Sequence, residues 1–245
     1  MSKKYTSPSQ FAIHYLGVRP LSMTAKNRIK TYVANTFYHV YNRGVEKRTI
    51  FLDEKDFKVF LSYLKFYLMP TLTLRGASPK SYPSQQLTNH HQKIQLIAYC
   101  LMPNHFHLLL KQTDVDSMTS FLRALCTRYS MYFNKRYARV GSLFQGRYKA
   151  VLIDNEMQFL YLTKYIHRNP LDLSGYQPSN LLEYPYSSYR NFTGVIHQVW
   201  IDPSDIIYRN SNNNPQSTYQ KFVEESKELS AEIETLGNLA LDHDT

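Results

Sequence analysis

Apolar and polar positions along the chain change period several times, and each change predicts an element. Thr36-Phe-Tyr-His-Val-Tyr41 alternates and is rich in aromatic and β-branched residues, and Asn42-Arg43-Gly44 breaks it, which predicts a first strand. Asp53 is placed to cap a helix whose apolar positions Phe57, Phe60, Leu61, Leu64 and Leu68 keep the helical period and which must stop at Pro70. Ile94 to Met102 and His105 to Lys111 read as the two arms of a hairpin turned by Pro103-Asn104. A second helix is predicted from about Asp116 to Tyr137, with Leu122, Leu125, Cys126, Tyr129 and Phe133 as its apolar stripe. Lys149 to Ile153 is a fourth strand. Asp154 or Asn155 caps a third helix that runs to Arg168 and ends at Asn169-Pro170, because the residue before proline avoids the α region.

Strand, helix, two strands, helix, strand, helix describes an α+β sandwich of the ferredoxin-like kind: an antiparallel sheet of four to five strands with helices on one face. Residues 1–35 read as a basic N-terminal arm, 36–175 as the catalytic-size domain and 176–245 as a C-terminal extension. The extension holds a Tyr/Pro-rich segment, a helix from about Ser217 and an acidic tail. Residues 71–93 are polar and proline-punctuated, so they predict a surface insertion in which His90 and His91 are solvated.

Charge sharpens the picture more than composition does. The net charge is +10, and the cations are grouped. Residues 1–35 hold Lys3, Lys4, Arg19, Lys26, Arg28 and Lys30 without an acid, and residues 117–150 hold Arg123, Arg128, Lys135, Arg136, Arg139, Arg147 and Lys149 without one. Two acid-free segments favour a nucleic-acid partner over a merely solvated face. No apolar run reaches the ~18 residues of a membrane span, and the first residues lack the layout of a signal peptide, so a cytoplasmic protein is expected. Cys100 and Cys126 lie in apolar contexts without metal-ligand spacing and read as buried thiols.

The chemistry centres on Met102-Pro-Asn-His-Phe-His-Leu108. Alternation along a strand puts His105 and His107 on one face and Phe106 on the other, so the imidazoles read either as half of a metal site or as two separately satisfied histidines. On the third helix Gln158, Tyr161, Tyr165, Arg168 and Asn169 share a polar stripe, and Phe159, Leu162 and Ile166 form the core stripe. A tyrosine with a pKa of about 10 needs a metal or a cation beside it to act as a nucleophile. Imidazole donors alone point to Zn²⁺ or Mn²⁺.

Five blocks in order carry a resemblance. They are Tyr38-His-Val-Tyr-Asn-Arg-Gly44, Met102 to Leu108, Gly141-Ser-Leu-Phe-Gln-Gly-Arg-Tyr-Lys149, Tyr165-Ile-His-Arg-Asn-Pro170 and Pro185-Tyr-Ser-Ser-Tyr189. Together they resemble the one-tyrosine HUH transposases, and within them the branch associated with repetitive extragenic palindromes. The resemblance implies a single-stranded or hairpin DNA transposase and endonuclease that cleaves and rejoins palindromic DNA through a 5′-phosphotyrosine. In that reading Tyr165 is the nucleophile, His105, His107 and Asn169 hold Mg²⁺ or Mn²⁺, and Arg43, Arg128, Arg147 and Lys149 contact phosphates. Tyr41 and Tyr148 are candidates for base stacking. Tyr161 competes with Tyr165 if the helix register differs. A monomer is favoured over a dimer, and the alternative function is a non-catalytic protein that binds DNA or RNA hairpins.

Overall fold

The computed structural model describes residues 32–70, 89–207 and 215–225. The basic arm up to residue 31, most of the 71–93 insertion, most of the 210–215 linker and the acidic tail lie outside them. Four strands, β1 (Thr36–Arg43), β2 (Ile94–Met102), β3 (His105–Gln112) and β4 (Lys149–Ile153), form one antiparallel sheet in the order β2-β3-β1-β4. This is the α+β arrangement expected from the sequence. Among the described residues the α-helices are α1 (Glu54–Leu68), α2 (Ser117–Arg136), α3 (Glu156–Arg168), α4 (Tyr189–Phe192), α5 (Ser204–Ile207) and α6 (Pro215–Glu224).

The capping residues act as their positions suggest for two helices. Asp53 accepts from Asp56 N at the start of α1, and Asn155, rather than Asp154, accepts from Gln158 N at the start of α3. For α2 the side chain of Asp116 makes no capping bond, and Gln112 Oε1 at the end of β3 accepts from Met118 N instead.

The helices do not all lie on one face of the sheet, which corrects the sequence expectation. Tyr38, Val40, Leu96, Leu101, Phe106, Leu108 and Leu110 pack under α1 and α2 in one core. Ala98, Cys100, Met102, Leu109 and Ile153 pack under α3 in a second core. A register shift between Leu96 and Ala98 lets Ile97 and Ala98 both join the second core, where strict alternation would separate them. Leu181, Tyr184, Tyr189, Phe192, Tyr219 and Val223 of the C-terminal extension complete it. The extension also covers the outer edge of β2, where Leu101 N donates to Tyr186 O and Ser188 N to Tyr99 O, so that edge is closed to another strand.

One expectation in the insertion is reversed. His90 is 1 % exposed, its ring set edge-on to Tyr67 and Phe121. Its backbone N–H caps the end of α1 through Tyr67 O, which draws the ring inward with it. His91 stays exposed, with its Nδ1 2.9 Å from Leu68 O.

Candidate active site

The face of the sheet under α3 is where β1 and β3 present their histidines. Antiparallel pairing sets Tyr41 opposite His107 and Arg43 opposite His105, so His39, Tyr41, Arg43, His105 and His107 share that face. α3 crosses it and brings Tyr165 and Asn169 to the histidines. The Tyr165 ring stands edge-on to His107 at 5.5 Å and to His39 at 6.1 Å between centroids. Asn169 Oδ1 lies 3.3 Å from His105 Nε2.

A chain of amide contacts fixes which atoms face each other. Gly44 N donates to Asn104 O, and Ile50 N and Phe51 N both donate to Pro103 O, so the turn after β1 is stitched to the Pro103-Asn104 turn. Asn104 Nδ2 then donates to Lys47 O at 3.3 Å, which leaves Asn104 Oδ1 to accept from His105 Nδ1 at 2.6 Å. In a neutral imidazole so placed, His105 Nε2 carries the lone pair. Asn169 Nδ2 donates to Tyr165 O at 2.9 Å, which turns Asn169 Oδ1 toward the imidazole. With His105 neutral, two acceptors confront each other, an arrangement that a bound cation satisfies. An imidazole whose other nitrogen donates to an amide oxygen is also the usual support for a metal ligand. The donor set of His105, His107 and Asn169 thus fits a divalent ion, with two nitrogens and one oxygen.

Of the cations expected to hold phosphate, three lie toward this end of the sheet. Arg43 Nε donates to Gln145 Oε1 at 2.5 Å, Lys149 Nζ sits over the Tyr41 ring at 5.6 Å, and Arg147 is exposed on the loop before β4. Arg128 is not brought there. Its guanidinium lies over the rings of Tyr63, Phe66 and Tyr67 in α1, on the other side of the sheet. Tyr148 also faces the α2 side, with its hydroxyl 3.0 Å from Thr119 Oγ1.

The polar stripe of α3 is divided between two neighbours. Tyr165 and Asn169 face the histidines, while Tyr161 packs on Phe222 of α6 and Arg168 Nη1 donates to Val223 O. Between them, His167 is fully buried, with Nδ1 2.7 Å from Tyr219 Oη and Nε2 2.8 Å from Ser188 Oγ; burial pushes its pKa down to about 3. His39 is the residue sequence reasoning did not single out. Its Nε2 lies 2.9 Å from His107 Nδ1. The available signal was its spacing from Tyr41 and Arg43, which marks the same strand face.

Residues 83–169, which include His105, His107, Tyr165 and Asn169, match the family model described as Transposase IS200 like. The segment that carries this site is similar to IS200-like transposase domains. Within that class the likeness is to the REP-associated tyrosine transposases. A Haemophilus influenzae protein of that name is 27 % identical over an alignment of 114 residues that covers 42 % of this chain and 62 % of the relative's length. Among solved structures, a REP-associated tyrosine transposase bound to a REP hairpin is 14 % identical, covering 75 % of this chain and 94 % of its own, with a TM-score of 0.48. A transposase structure from Deinococcus radiodurans R1 is 18 % identical, covering 58 % of this chain and 96 % of its own, with a TM-score of 0.34. Among the described residues no helix is long and apolar enough to cross a membrane.

Proposed function

We propose that this protein is a metal-dependent tyrosine transposase that cleaves and rejoins single-stranded or hairpin DNA, with palindromic repeats as its substrate. The observation that carries this reading is the meeting of two distant segments. Asn169 Oδ1 lies 3.3 Å from His105 Nε2, and the Tyr165 ring stands against His107. His105, His107 and Asn169 would hold Mg²⁺ or Mn²⁺. When bound, the ion would supply Lewis acidity to the scissile phosphate and a template for in-line attack.

Tyr165 Oη forms the new bond to phosphorus and the P–O3′ bond breaks. The phenolic proton is balanced by the proton gained at the 3′ oxygen. A 5′-phosphotyrosine and a free 3′-hydroxyl result, and because the bond energy is kept, a second 3′-hydroxyl can reverse the step on a new end. Tyr165 is half-buried on the histidine side of α3, a position open to a phosphate yet fixed by its neighbours. Arg43, Arg147 and Lys149 would track the strand, and Tyr41 would offer a ring beside them.

The test is incubation of the purified full chain with hairpin oligonucleotides and Mn²⁺, followed by denaturing electrophoresis. A covalent protein–DNA band is expected with Mn²⁺, none with EDTA, and none for His105→Ala. A band of undiminished strength in EDTA would overturn the metal dependence. The same hairpin made of RNA distinguishes an RNA-directed role, which would show as an RNA adduct of equal yield.

A further inference from the structure

We propose that His39 is a positioning residue that fixes the hydrogen-bond polarity of His107, so that His107 offers a lone pair rather than an N–H to the cation. The inference rests on the metal-site reading above. It starts from the register of β1 on β3, which places His39 one position diagonal to His107 on the shared face. The two rings meet edge to edge, with centroids 5.1 Å apart and planes 17° from parallel, and His39 Nε2 meets His107 Nδ1 at 2.9 Å. Exposure is 1 % for His39 and 0 % for His107.

A neutral imidazole carries one N–H and one lone pair. Only two arrangements of this pair are therefore open. If His39 donates, His107 accepts at Nδ1, its proton sits on Nε2, and it cannot be a ligand. If His107 donates from Nδ1, its Nε2 carries the lone pair and can bind a cation. A ligand role for His107 thus requires His39 to accept. Asn104 does the same for His105, accepting from its Nδ1 at 2.6 Å. Each histidine of the pair has its own acceptor at Nδ1, one an amide oxygen and the other a second imidazole.

The experiment compares the wild-type full chain with His39→Gln, His39→Leu and His105→Ala. Mn²⁺ binding is measured without DNA, from the electron paramagnetic resonance of the free ion. His39→Leu, which cannot accept, is expected to weaken Mn²⁺ binding by about 10- to 100-fold. His39→Gln, whose amide oxygen can accept, is expected to stay close to wild type. In ¹⁵N spectra of the Mg²⁺-saturated wild type, the proton is expected on His107 Nδ1, with coupling across the hydrogen bond to His39 Nε2. That spectrum decides the matter even if a variant fails to fold.

Wild-type affinity in His39→Leu, or a loss in His39→Gln as large as in His39→Leu, overturns the inference while the metal site stands. A proton found on His107 Nε2 overturns it as well. Mn²⁺ binding that is unaffected by His105→Ala overturns the metal site itself, and the role of His39 with it.

Discussion

Removing the carboxylate of Asp56 tests whether the basic residues of α2 are structural or face a nucleic acid. Asp56 is completely buried and accepts from Leu52 N at 2.9 Å, Tyr132 Oη at 2.9 Å, Tyr137 Oη at 2.8 Å and Arg136 Nη1 at 2.6 Å. Arg136 also reaches Asp53, and this contact holds the Asp53 carboxyl below the usual carboxylate range and raises the guanidinium. The phenol of Tyr137 is likewise pushed up, mainly by burial and then by its bond to Asp56. Asp56→Ala strips four donors of their acceptor at once. Removing one partner of a buried ion pair costs roughly 3–5 kcal/mol. Arg136 keeps Asp53, and Tyr132 and Tyr137 are half-exposed and can turn to water, so the lower end applies, about 3 kcal/mol. For a chain of this size that corresponds to a fall in Tm of about 6–12 °C. The assay is thermal unfolding by circular dichroism, paired with hairpin-DNA binding below the variant's melting range. Binding is expected to be unchanged, since Arg136 is committed to α1. A melt within 2 °C of wild type would refute the reasoning.

Three further outcomes follow from other parts of the structure. A Cβ at Gly44 would lie 2.2 Å from Arg48 O and 2.9 Å from Ile50 Cγ2, so Gly44→Ala must shift backbone in the turn that orients Asn104. It is expected to cost about 1–3 kcal/mol in urea unfolding and to weaken Mn²⁺ binding, and an unchanged midpoint would contradict this. His167 stays neutral when folded, whereas an unfolded histidine takes up a proton near pH 6.5. Stability is therefore lost as pH falls from about 6.5 toward 3, by about 1.4 kcal/mol per unit, and His167→Gln should flatten that slope in urea titrations at pH 7 and pH 5. Tyr161→Phe keeps the ring against Phe222 and should leave adduct yield unchanged, whereas loss of the adduct would transfer the nucleophile role to Tyr161.

What could be read along the chain was what local chemistry decides. β2 and β4 have the bounds that periodicity and turn residues suggest, and α1 and α3 begin at Asp53 and Asn155 because those side chains cap the first turn themselves. The strand period likewise put His105 and His107 on one face. What could not be read depends on partners distant in sequence. His39 joins the site only because β1 pairs with β3, and α3 lies opposite α1 and α2 because its apolar stripe meets the other face of the sheet. The acid-free run 117–150 looked like a nucleic-acid surface throughout. Yet its Arg136 pairs with Asp53 and Asp56, and its Arg128 stacks on Tyr63 and Phe66, both across the α1 interface. A count of charges cannot distinguish such a cation from one facing solvent, as Arg147 does.

The most direct measurement is the identity of the residue that carries the DNA. The full chain is reacted with a hairpin oligonucleotide in Mn²⁺, digested with nuclease and protease, and the nucleotide-bearing peptide is sequenced by mass spectrometry. The expected result is a nucleotide on Tyr165 linked through its 5′-phosphate, and no adduct for Tyr165→Phe. An adduct on any other residue, or one that persists in Tyr165→Phe, would contradict the assignment of this tyrosine beside His107 as the nucleophile.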